Sequence, residues 1–566
     1  MSQQEVDLTF ESFTEGTTHL QNSHYQQAID CYTKTLHLLS DPKEDDSSYE
    51  LNIRTKTHFY KGLAHFHLSQ FTQAIQEFST VDTILQNYES SKQHQQHDEE
   101  DPATVLASLF PTRIKSLEYW ARSLHKPNPS SQVGTEVVNK DQQALHLYSR
   151  AIDMLKKTFD STTTSSSMIP RIHTLYMSRG LLHSDLKHFQ EAIQDFSRCL
   201  QELSSPVMET IPNQAFQKFT AHHNRAIAYE SLKNSEQEAL EDYSKAIECL
   251  ESGEVPNREA LLSEKESEAL NTYLYRALLL YNMTSGGKKM GGNSSSSAIS
   301  TILNDLHVVL KYNPHHLVAN QIAAQLSYEA KDYEKARDSY SRLISICKKQ
   351  SSSSAARDEL YSYHFNHGMC CKFLGDELGA LEDFEKTIEL NDEYFKGFVE
   401  LARLRKVSKR DDDTKEMIQL YDRAISLLEK NKVKEEDLPN NKSKAALYFE
   451  RGVLQSKIEE YESSVQDFTK CLQIENDHVD ALFNRANIYR THLKEFSKAL
   501  KDAETVSKLD PNDLEAMMEV GLCLFELDKI DQAKKQFEKI LQKDPHHEGA
   551  KNYLDYLNDA DENDEE

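Results

Sequence analysis

The residues best suited to chemistry are two histidines and a cysteine, His364, His367 and Cys371, which follow one another at helical spacing. On a helix they would share one face, and imidazole nitrogens and thiolates are common ligands of zinc. Relative to Gly368, however, they occupy the same places as three apolar residues around Gly521. Those residues are Met517, Val520 and Leu524. We therefore interpret the histidines and the cysteine as packed core residues, and predict no metal ligand and no cofactor.

A glycine-rich loop and the acidic residues are the other candidates for chemistry. The loop 286-GGKKMGG-292 lacks the GxxxxGK(S/T) pattern and the preceding strand that a phosphate-binding loop requires. No nucleophile with a paired base is visible. The 92 Asp and Glu residues are too many for any one carboxylate pair to stand out. We predict a protein that is not an enzyme.

Composition restricts the partners and the compartment. The 566-residue chain has a net charge of −27, which argues against nucleic acid because phosphate binding needs a basic surface. No apolar run approaches the roughly 20 residues that span a bilayer, so we expect no membrane insertion. The first ten residues, MSQQEVDLTF, lack the features of a secretory signal. The eight cysteines are mostly scattered and form no CxxC pair, which predicts the cytoplasm, with the nucleus as the alternative.

The chain is built from an internal repeat, which is clearest near its C-terminal end. The segments 480–511 and 514–545 each contain two apolar stripes at helical spacing and end in prolines that are 34 residues apart. Gly521 lies midway along a first stripe, Ala533 follows twelve residues later, and Phe537 comes four residues after that. The same twelve-residue spacing recurs at Gly16 and Ala28, Gly62 and Ala74, Gly180 and Ala192, Ala324 and Ala336, and Gly368 and Ala380.

This pattern resembles the tetratricopeptide repeat family, whose 34-residue unit is a helix-turn-helix with a small residue where helix A meets helix B. Close helices need a missing or methyl side chain at their contact, and an aromatic anchor on helix B fills the space beside it. About twelve units cover nearly the whole chain. They predict an all-α fold, a right-handed α-α superhelical solenoid. The resemblance implies a non-catalytic scaffold or adaptor that binds peptide or helical segments of other proteins.

The unit boundaries follow from polar inserts that lengthen the repeat period. We expect units 1 and 2 in 1–87, a polar acidic insert in 88–102, units 3 to 6 in 103–283 with further polar inserts, a Gly/Ser-rich insert in 284–297, the rest of unit 6 with units 7 to 12 in 298–545, a capping helix in 546–558 and an acidic tail in 559–566.

Helix A lines the concave face in this family, so two rows of residues are candidates for a partner groove. The first row lies three residues before the small residue and holds Phe13, Phe59, Met177, Leu274, Phe365, Phe449, Phe483 and Met518. The second row lies one residue after it and holds Leu63, Leu181, Leu278, Met369 and Leu522. These side chains would either form an apolar groove for a partner or pack on the neighbouring helix B.

A basic island and three asparagines are further candidates on helix A. Lys372, Lys396, Arg403 and Lys406 would form a docking patch for an acidic peptide, or else a solvated charge run. Some family members grip the acidic tails of heat-shock chaperones with a clamp of Lys, Asn, Asn, Lys and Arg. Asn224, Asn366 and Asn484 occupy a middle Asn position of that clamp. Around Asn366 only two of the five places agree, so a co-chaperone is the alternative function.

Overall fold

The structure is a computed structural model. It describes residues 3–39, 47–92, 102–125, 135–161, 172–205, 213–264, 267–285, 292–349, 354–407, 413–430 and 440–564. Within these ranges the regular secondary structure is α-helix and turns, with no strand. The chain divides into a first unit, Met1–Asn313, and a second unit, Pro314–Glu566.

The first unit consists of antiparallel helix pairs. The pairs are α1 (Gln3–Gln21) with α2 (Tyr25–Leu38), α3 (Ser48–His67) with α4 (Phe71–Lys92), α5 (Pro102–His125) with α6 (Thr135–Ser161), α7 (Ile172–Asp185) with α8 (Phe189–Leu203), α9 (Gln214–Glu230) with α10 (Glu236–Glu251), and α12 (Glu268–Ser285) with α13 (Gly292–Tyr312). A short helix, α11 (Arg258–Ser263), precedes the last pair.

The second unit repeats the arrangement. Its pairs are α14 (Leu317–Glu329) with α15 (Tyr333–Lys349), α16 (Ser354–Leu374) with α17 (Glu377–Leu390), α18 (Phe395–Val407) with α19 (Asp413–Glu429), α20 (Asn441–Lys457) with α21 (Tyr461–Ile474), α22 (Val479–Thr491) with α23 (Phe496–Leu509), and α24 (Leu514–Glu526) with α25 (Ile530–Lys543). Helix α26 (Glu548–Asp564) closes it. The described residues therefore contain twelve pairs, which confirms the predicted all-α repeat fold.

Local sequence explains where the helices begin and how they reverse. Ser47 and Glu50 form a reciprocal capping box at the start of α3, with the amide of Glu50 3.3 Å from the Ser47 hydroxyl. Asp513 accepts a hydrogen bond from the amide of Ala516 at the start of α24. At the turn from α24 to α25, Asp528 adopts a left-handed conformation with φ of 59°. A left-handed residue at this point ends one helix and lets the next fold back against it.

In six pairs a glycine of the first helix faces the anchor of the second helix, as the spacing predicted. A Cβ built on Gly180 would lie 2.8 Å from Cε1 of Phe196, so only glycine fits there without a shift. The anchors themselves are buried in all twelve pairs. They are Tyr32, Phe78, Tyr148, Phe196, Tyr243, Leu306, Tyr340, Phe384, Tyr421, Phe468, Ala503 and Phe537. Burying such rings supplies much of the stabilisation that a single pair lacks on its own.

The first helices of successive pairs contact one another directly. In the first unit α1 contacts α3, α3 contacts α5, α7 contacts α9, and α9 contacts α12. In the second unit α22 contacts α24. Second helices of successive pairs come less close within the described ranges. At these steps the first helices therefore lie on the inner side of the stack, where the resemblance places the groove.

Helices extend into two of the predicted polar inserts and into the predicted acidic tail. Helix α4 continues to Lys92 and α13 begins at Gly292, while 93–101 and 286–291 lie outside the described residues. Helix α26 continues through the predicted acidic tail as far as Asp564. No Gly or Pro follows Gly549, and Ala and Glu favour helix, so nothing in the sequence ends the helix earlier. No helix among the described residues is long and apolar enough to cross a membrane.

Candidate functional site

The first row of predicted groove residues packs inward rather than facing a partner. The ring of Phe365 lies 5.7 Å from that of Phe384, the anchor of its own pair, and 5.1 Å from Tyr394 of the next pair. Phe59 is only 4% exposed and Leu274 only 7%, which corrects their assignment to an open groove. The remaining first-row residues are partly exposed on their helices. They are Phe13, Met177, Phe365, Phe449, Phe483 and Met518.

Four of the first-row aromatic rings share one packing geometry, in which each ring is tilted against the ring of its anchor. Ring centroids of Phe13 and Tyr32 are 6.1 Å apart, and those of Phe449 and Phe468 are 5.8 Å apart. Tilted rings at such distances gain from edge-to-face contact beyond their area burial. Phe13, Phe365 and Phe449 therefore each pack against the anchor of their own pair and against the next pair.

The second row is more open. Leu181 is 37% exposed. Leu63, Leu278, Met369 and Leu522 are partly exposed on α3, α12, α16 and α24. These residues lie one position after the small residue, about a ninth of a turn from the first row on the helix circumference. Leu181 reaches the surface, whereas Met369 and Leu522 also pack against the hydrophobic cores that contain the anchors Phe384 and Phe537.

A buried histidine occupies the first-row place on α9. His223 is 3% exposed, stacks on Tyr275 and lies 2.8 Å from Oγ1 of Thr272 through Nδ1. Thr272 donates its own proton to the carbonyl of Glu268, so the imidazole N–H donates to Thr272. Burial lowers the pKa of His223 to about 4. At neutral pH it is therefore an uncharged packing residue and not a ligand for an acidic partner.

The predicted basic patch is compensated by carboxylates. Lys372 Nζ lies 2.5 Å from Glu400, while Arg403 Nη1 lies 3.1 Å from Glu400 and its Nε lies 3.1 Å from Glu450. Lys396 is partly buried on α18 and also has an interaction partner. Lys406 is on the same helix, and its side chain lies outside the described residues. Both Lys372 and Arg403 therefore already have acidic partners, with which an acidic peptide would have to compete.

Two of the three groove asparagines are hydrogen-bonded within their own helices. The amide of Asn224 donates to the carbonyl of Thr220 at 2.8 Å, and that of Asn484 donates to the carbonyl of Asp480 at 2.7 Å. Each bond lies within the residue's own helix. Asn366 is partly exposed on α16 and lies between His364 and His367 in the sequence.

An arginine ladder, which the sequence interpretation missed, runs through the described pairs. In five pairs an arginine directly before the small residue grips the aspartate directly before the helix B anchor with both Nε and Nη2. Its members are Arg179 with Asp195, Arg225 with Asp242, Arg276 with Asp305, Arg451 with Asp467, and Arg485 with Asp502. Such two-point contacts fix both direction and distance.

Each ladder arginine also reaches the preceding pair. Nη1 of Arg179 donates to Ser149 at 2.9 Å, and Nη1 of Arg225 donates to Ser197 at 2.9 Å. One guanidinium thus ties together three helices. In four of the five pairs the sequence signal was an Arg before Gly or Ala, combined with an Asp before the anchor sixteen or seventeen residues later. Arg276 and Asp305 are 29 residues apart and lack this spacing.

Local partners decide the direction of the aspartate pKa shifts in the ladder. Burial alone would raise the pKa of Asp242, but hydrogen bonds from His222 and Arg225 lower it overall. Burial raises the pKa of Asp305 and of Asp467, where no histidine adds to the arginine. The ladder carboxylates are therefore costly to bury and depend on their partners.

The cysteines lack the environment of a nucleophile. The described thiols are all free, and six of them are buried. Burial raises the pKa of Cys199, Cys370 and Cys523 to about 12, that of Cys371 and Cys471 to about 11, and also raises the pKa of Cys31, Cys249 and Cys347. Reactive cysteines need a lowered pKa, so these thiols lack the character of a nucleophile.

Stacked helix pairs, each closed by a small residue against a buried anchor, define an α-helical repeat protein. Family models described as Tetratricopeptide repeat match residues 515–547 in one case, and 173–202 and 445–478 in the other. The matched segments correspond to α24–α25, α7–α8 and α20–α21. These three helix pairs are therefore tetratricopeptide repeats.

Curated relatives match parts of the chain at modest identity. Hsp70-Hsp90 organizing protein 1 of Glycine max is 23% identical over 42% of this chain and 44% of its own length. DnaJ homolog subfamily C member 7 of Homo sapiens is 25% identical over 39% of this chain and 42% of its own length. The match with this chain therefore spans less than half the length of these relatives.

Among solved structures, MamA is 18% identical, covers 33% of this chain and 93% of its own, and has a TM-score of 0.28. The Cut9-Hcn1 hetero-tetramer of the APC/C is 12% identical, with 97% of this chain and 96% of that chain covered and a TM-score of 0.27.

Proposed function

We propose that this chain is a non-catalytic protein-interaction adaptor that holds a segment of a partner protein along its first helices. The observation that carries the proposal is the second row, where apolar side chains remain partly exposed on the inner side of the stack. Leu63, Leu181 and Leu278 supply this row in the first unit. Water-facing positions of a helix that only covers a core are normally polar, so a repeated apolar row favours an apolar peptide or helix as ligand.

The second row can be tested without disturbing the core. Replacing Leu63, Leu181 and Leu278 together with serine is expected to lower the recovery of bound partners at least tenfold, because the exposed apolar contact area is lost. The measurement is affinity purification of the tagged full-length chain with quantitative mass spectrometry. Circular dichroism and size-exclusion chromatography establish that the variant remains folded.

The matched control is Leu378→Ser. Leu378 is an equally large apolar residue, 78% exposed, but it lies on the second helix α17. This control should keep its partners. If the triple variant keeps all of them as well, the partner site lies elsewhere on the chain. First-row residues are unsuitable for this test, because their rings pack on the anchors.

A second candidate function is that of a co-chaperone that binds acidic C-terminal tails of heat-shock chaperones. What favours it is the likeness to Hsp70-Hsp90 organizing proteins of Glycine max and Arabidopsis thaliana. Lys396 on α18 and Asn366 on α16 occupy two of the five clamp places. Glu400 and Glu450 argue against a strong clamp, because they already form ion pairs with Lys372 and Arg403.

A direct binding measurement decides on this candidate. If it holds, a fluorescent peptide ending in Glu-Glu-Val-Asp binds the full-length chain, and Lys396→Glu weakens the affinity at least tenfold by charge repulsion. Lys335→Glu, at a 78% exposed side chain on α15, should leave the affinity unchanged. Equal affinities for wild type and Lys396→Glu in fluorescence anisotropy would exclude this clamp position.

The cytoplasm is the compartment that we propose for this adaptor. Support comes from the eight free cysteines, since a secreted protein of this cysteine content would more typically use them in disulfides.

A further inference from the structure

The pair α16–α17 keeps the ladder aspartate but has a histidine in place of the ladder arginine. His367 stands directly before Gly368, where five other pairs have an arginine, and Asp383 stands directly before the anchor Phe384. Nδ1 of His364 lies 2.7 Å from one oxygen of Asp383, and Nδ1 of His367 contacts the other. A buried carboxylate needs a compensating cation, and here no permanently charged guanidinium supplies it.

A thiol completes a set of metal-binding atoms at this place. Cys371 follows His367 by one helical turn, and its Sγ lies 3.7 Å from Nδ1 of His367. The donor atoms of His367, Cys371 and Asp383 all lie within 4.8 Å of one another. In a tetrahedral zinc site, bond lengths of about 2.0 to 2.3 Å place neighbouring ligand atoms roughly 3.3 to 3.6 Å apart. The separation between Sγ and Nδ1 of His367 is therefore close to the one that a shared ion needs, and Nδ1 and the oxygen of Asp383, which share a hydrogen bond, would move apart to admit the ion.

The surrounding residues hold these atoms in place. Ser341 on α15 lies 2.8 Å from Nε2 of His367, at the place where serines of other pairs meet a ladder arginine. A partner on the second ring nitrogen is the usual way in which a ligating histidine is oriented. His364 occupies Oδ1 of Asp383, which leaves Oδ2 facing His367. The site is thus positioned by three helices, as each ladder arginine is.

We propose that His367, Cys371 and Asp383 bind one zinc-class divalent ion, which takes the place of the ladder arginine and fastens α16 to α17. One nitrogen, one sulfur and one oxygen ligand suit zinc or cobalt rather than magnesium or calcium, which prefer oxygen alone. The fourth coordination position is left to water. On binding, the thiol proton and any proton between His367 and Asp383 are released to solvent.

Cobalt is the spectroscopic probe for this site. The full-length chain is treated with chelator, freed of it under reducing conditions, and titrated with Co²⁺ and then Zn²⁺. We expect one equivalent of Co²⁺ to produce a thiolate-to-cobalt charge-transfer band, which zinc abolishes. Cys371→Ser should lose the band and bind at least tenfold more weakly. Cys370→Ser, which alters the adjacent buried cysteine, should behave as wild type.

A ladder substitution separates metal binding from folding. His367→Arg rebuilds the arginine-aspartate pair of the other repeats, so it should keep the wild-type melting temperature without metal and lose ion binding. Absence of the band in wild type, or an unchanged band in Cys371→Ser, would overturn the proposal and leave a hydrogen-bonded packing cluster only. Loss of the band in Cys31→Ser instead would assign the ion to the more exposed cluster Glu15, His19 and Cys31.

Discussion

Replacing Arg276 with methionine is expected to destabilise the pair α12–α13 by about 3 to 5 kcal/mol, because it leaves the buried carboxylate of Asp305 without its partner. Only 3% of the Asp305 side chain and 16% of the Arg276 side chain are exposed. The substitution also removes the bond from Nη1 to Ser244, which ties this pair to α10. The loss should shrink as the pH is lowered, because a protonated carboxyl is less costly to bury.

Hydrogen exchange is the suitable measurement, since a long repeat array does not unfold as one cooperative unit. Peptides from α12 and α13 should lose protection in Arg276→Met, and the double variant Arg276→Met with Asp305→Leu should regain most of it. The control Arg423→Met breaks an exposed pair with Asp392, whose side chains are 41% and 77% exposed. It should cost less than about 1 kcal/mol. Equal losses in the two single variants would show that the ladder does not stabilise the fold.

The repeat architecture could be predicted from the sequence because its main contact depends on residue size at fixed spacing. Gly180 and Phe196 are sixteen residues apart because they lie on two antiparallel helices that are joined by a tight reversal. Any unit with that geometry needs a small residue and a large one at these two places. The pattern therefore repeats even where loops between pairs differ in length.

The chemistry of the ladder could not be predicted in the same way. Asp305 is one of 92 acidic residues, and nothing in its neighbours along the chain shows that it is buried. Its partner Arg276 lies 29 residues away, across the segment between α12 and α13. A charged residue is readily interpreted as a solvated one until its partner is located in space. The same reasoning applies to Lys372 and Glu400, which are 28 residues apart.

The difference in burial between the two groove rows also could not be predicted from the sequence. Phe59 and Leu63 are four positions apart and lie on nearly the same side of α3, so helical periodicity treats them alike. In the structure Phe59 reaches the anchor Phe78 and the ring of Tyr119, whereas Leu63 stays partly exposed. Which of them a partner could touch depends on the position of the next helix pair, and that is a tertiary property.

Replacing Phe537 with alanine is expected to destabilise α24–α25 by about 3 to 5 kcal/mol, because the ring is fully buried and leaves a cavity. The anchor also determines the effect of a change at Gly521. A Cβ on Gly521 would overlap Cε1 of Phe537 and lie 2.9 Å from its Cδ1. Gly521→Ala should therefore destabilise the wild type, although alanine is favoured over glycine in helices by about 1 kcal/mol.

The sign of the Gly521→Ala effect should reverse when the anchor is removed. In the Phe537→Ala background the methyl group enters empty space, so the helix preference of alanine remains and part of the cavity is filled. Gly549→Ala on α26 is the control, because a Cβ there meets its nearest atoms only at 3.4 Å and should be neutral or stabilising without any change at Phe537. Protection of α24 and α25 in hydrogen exchange measures all four variants. If Gly521→Ala is equally destabilising with and without the ring, the small residue is required for a reason other than its contact with the anchor.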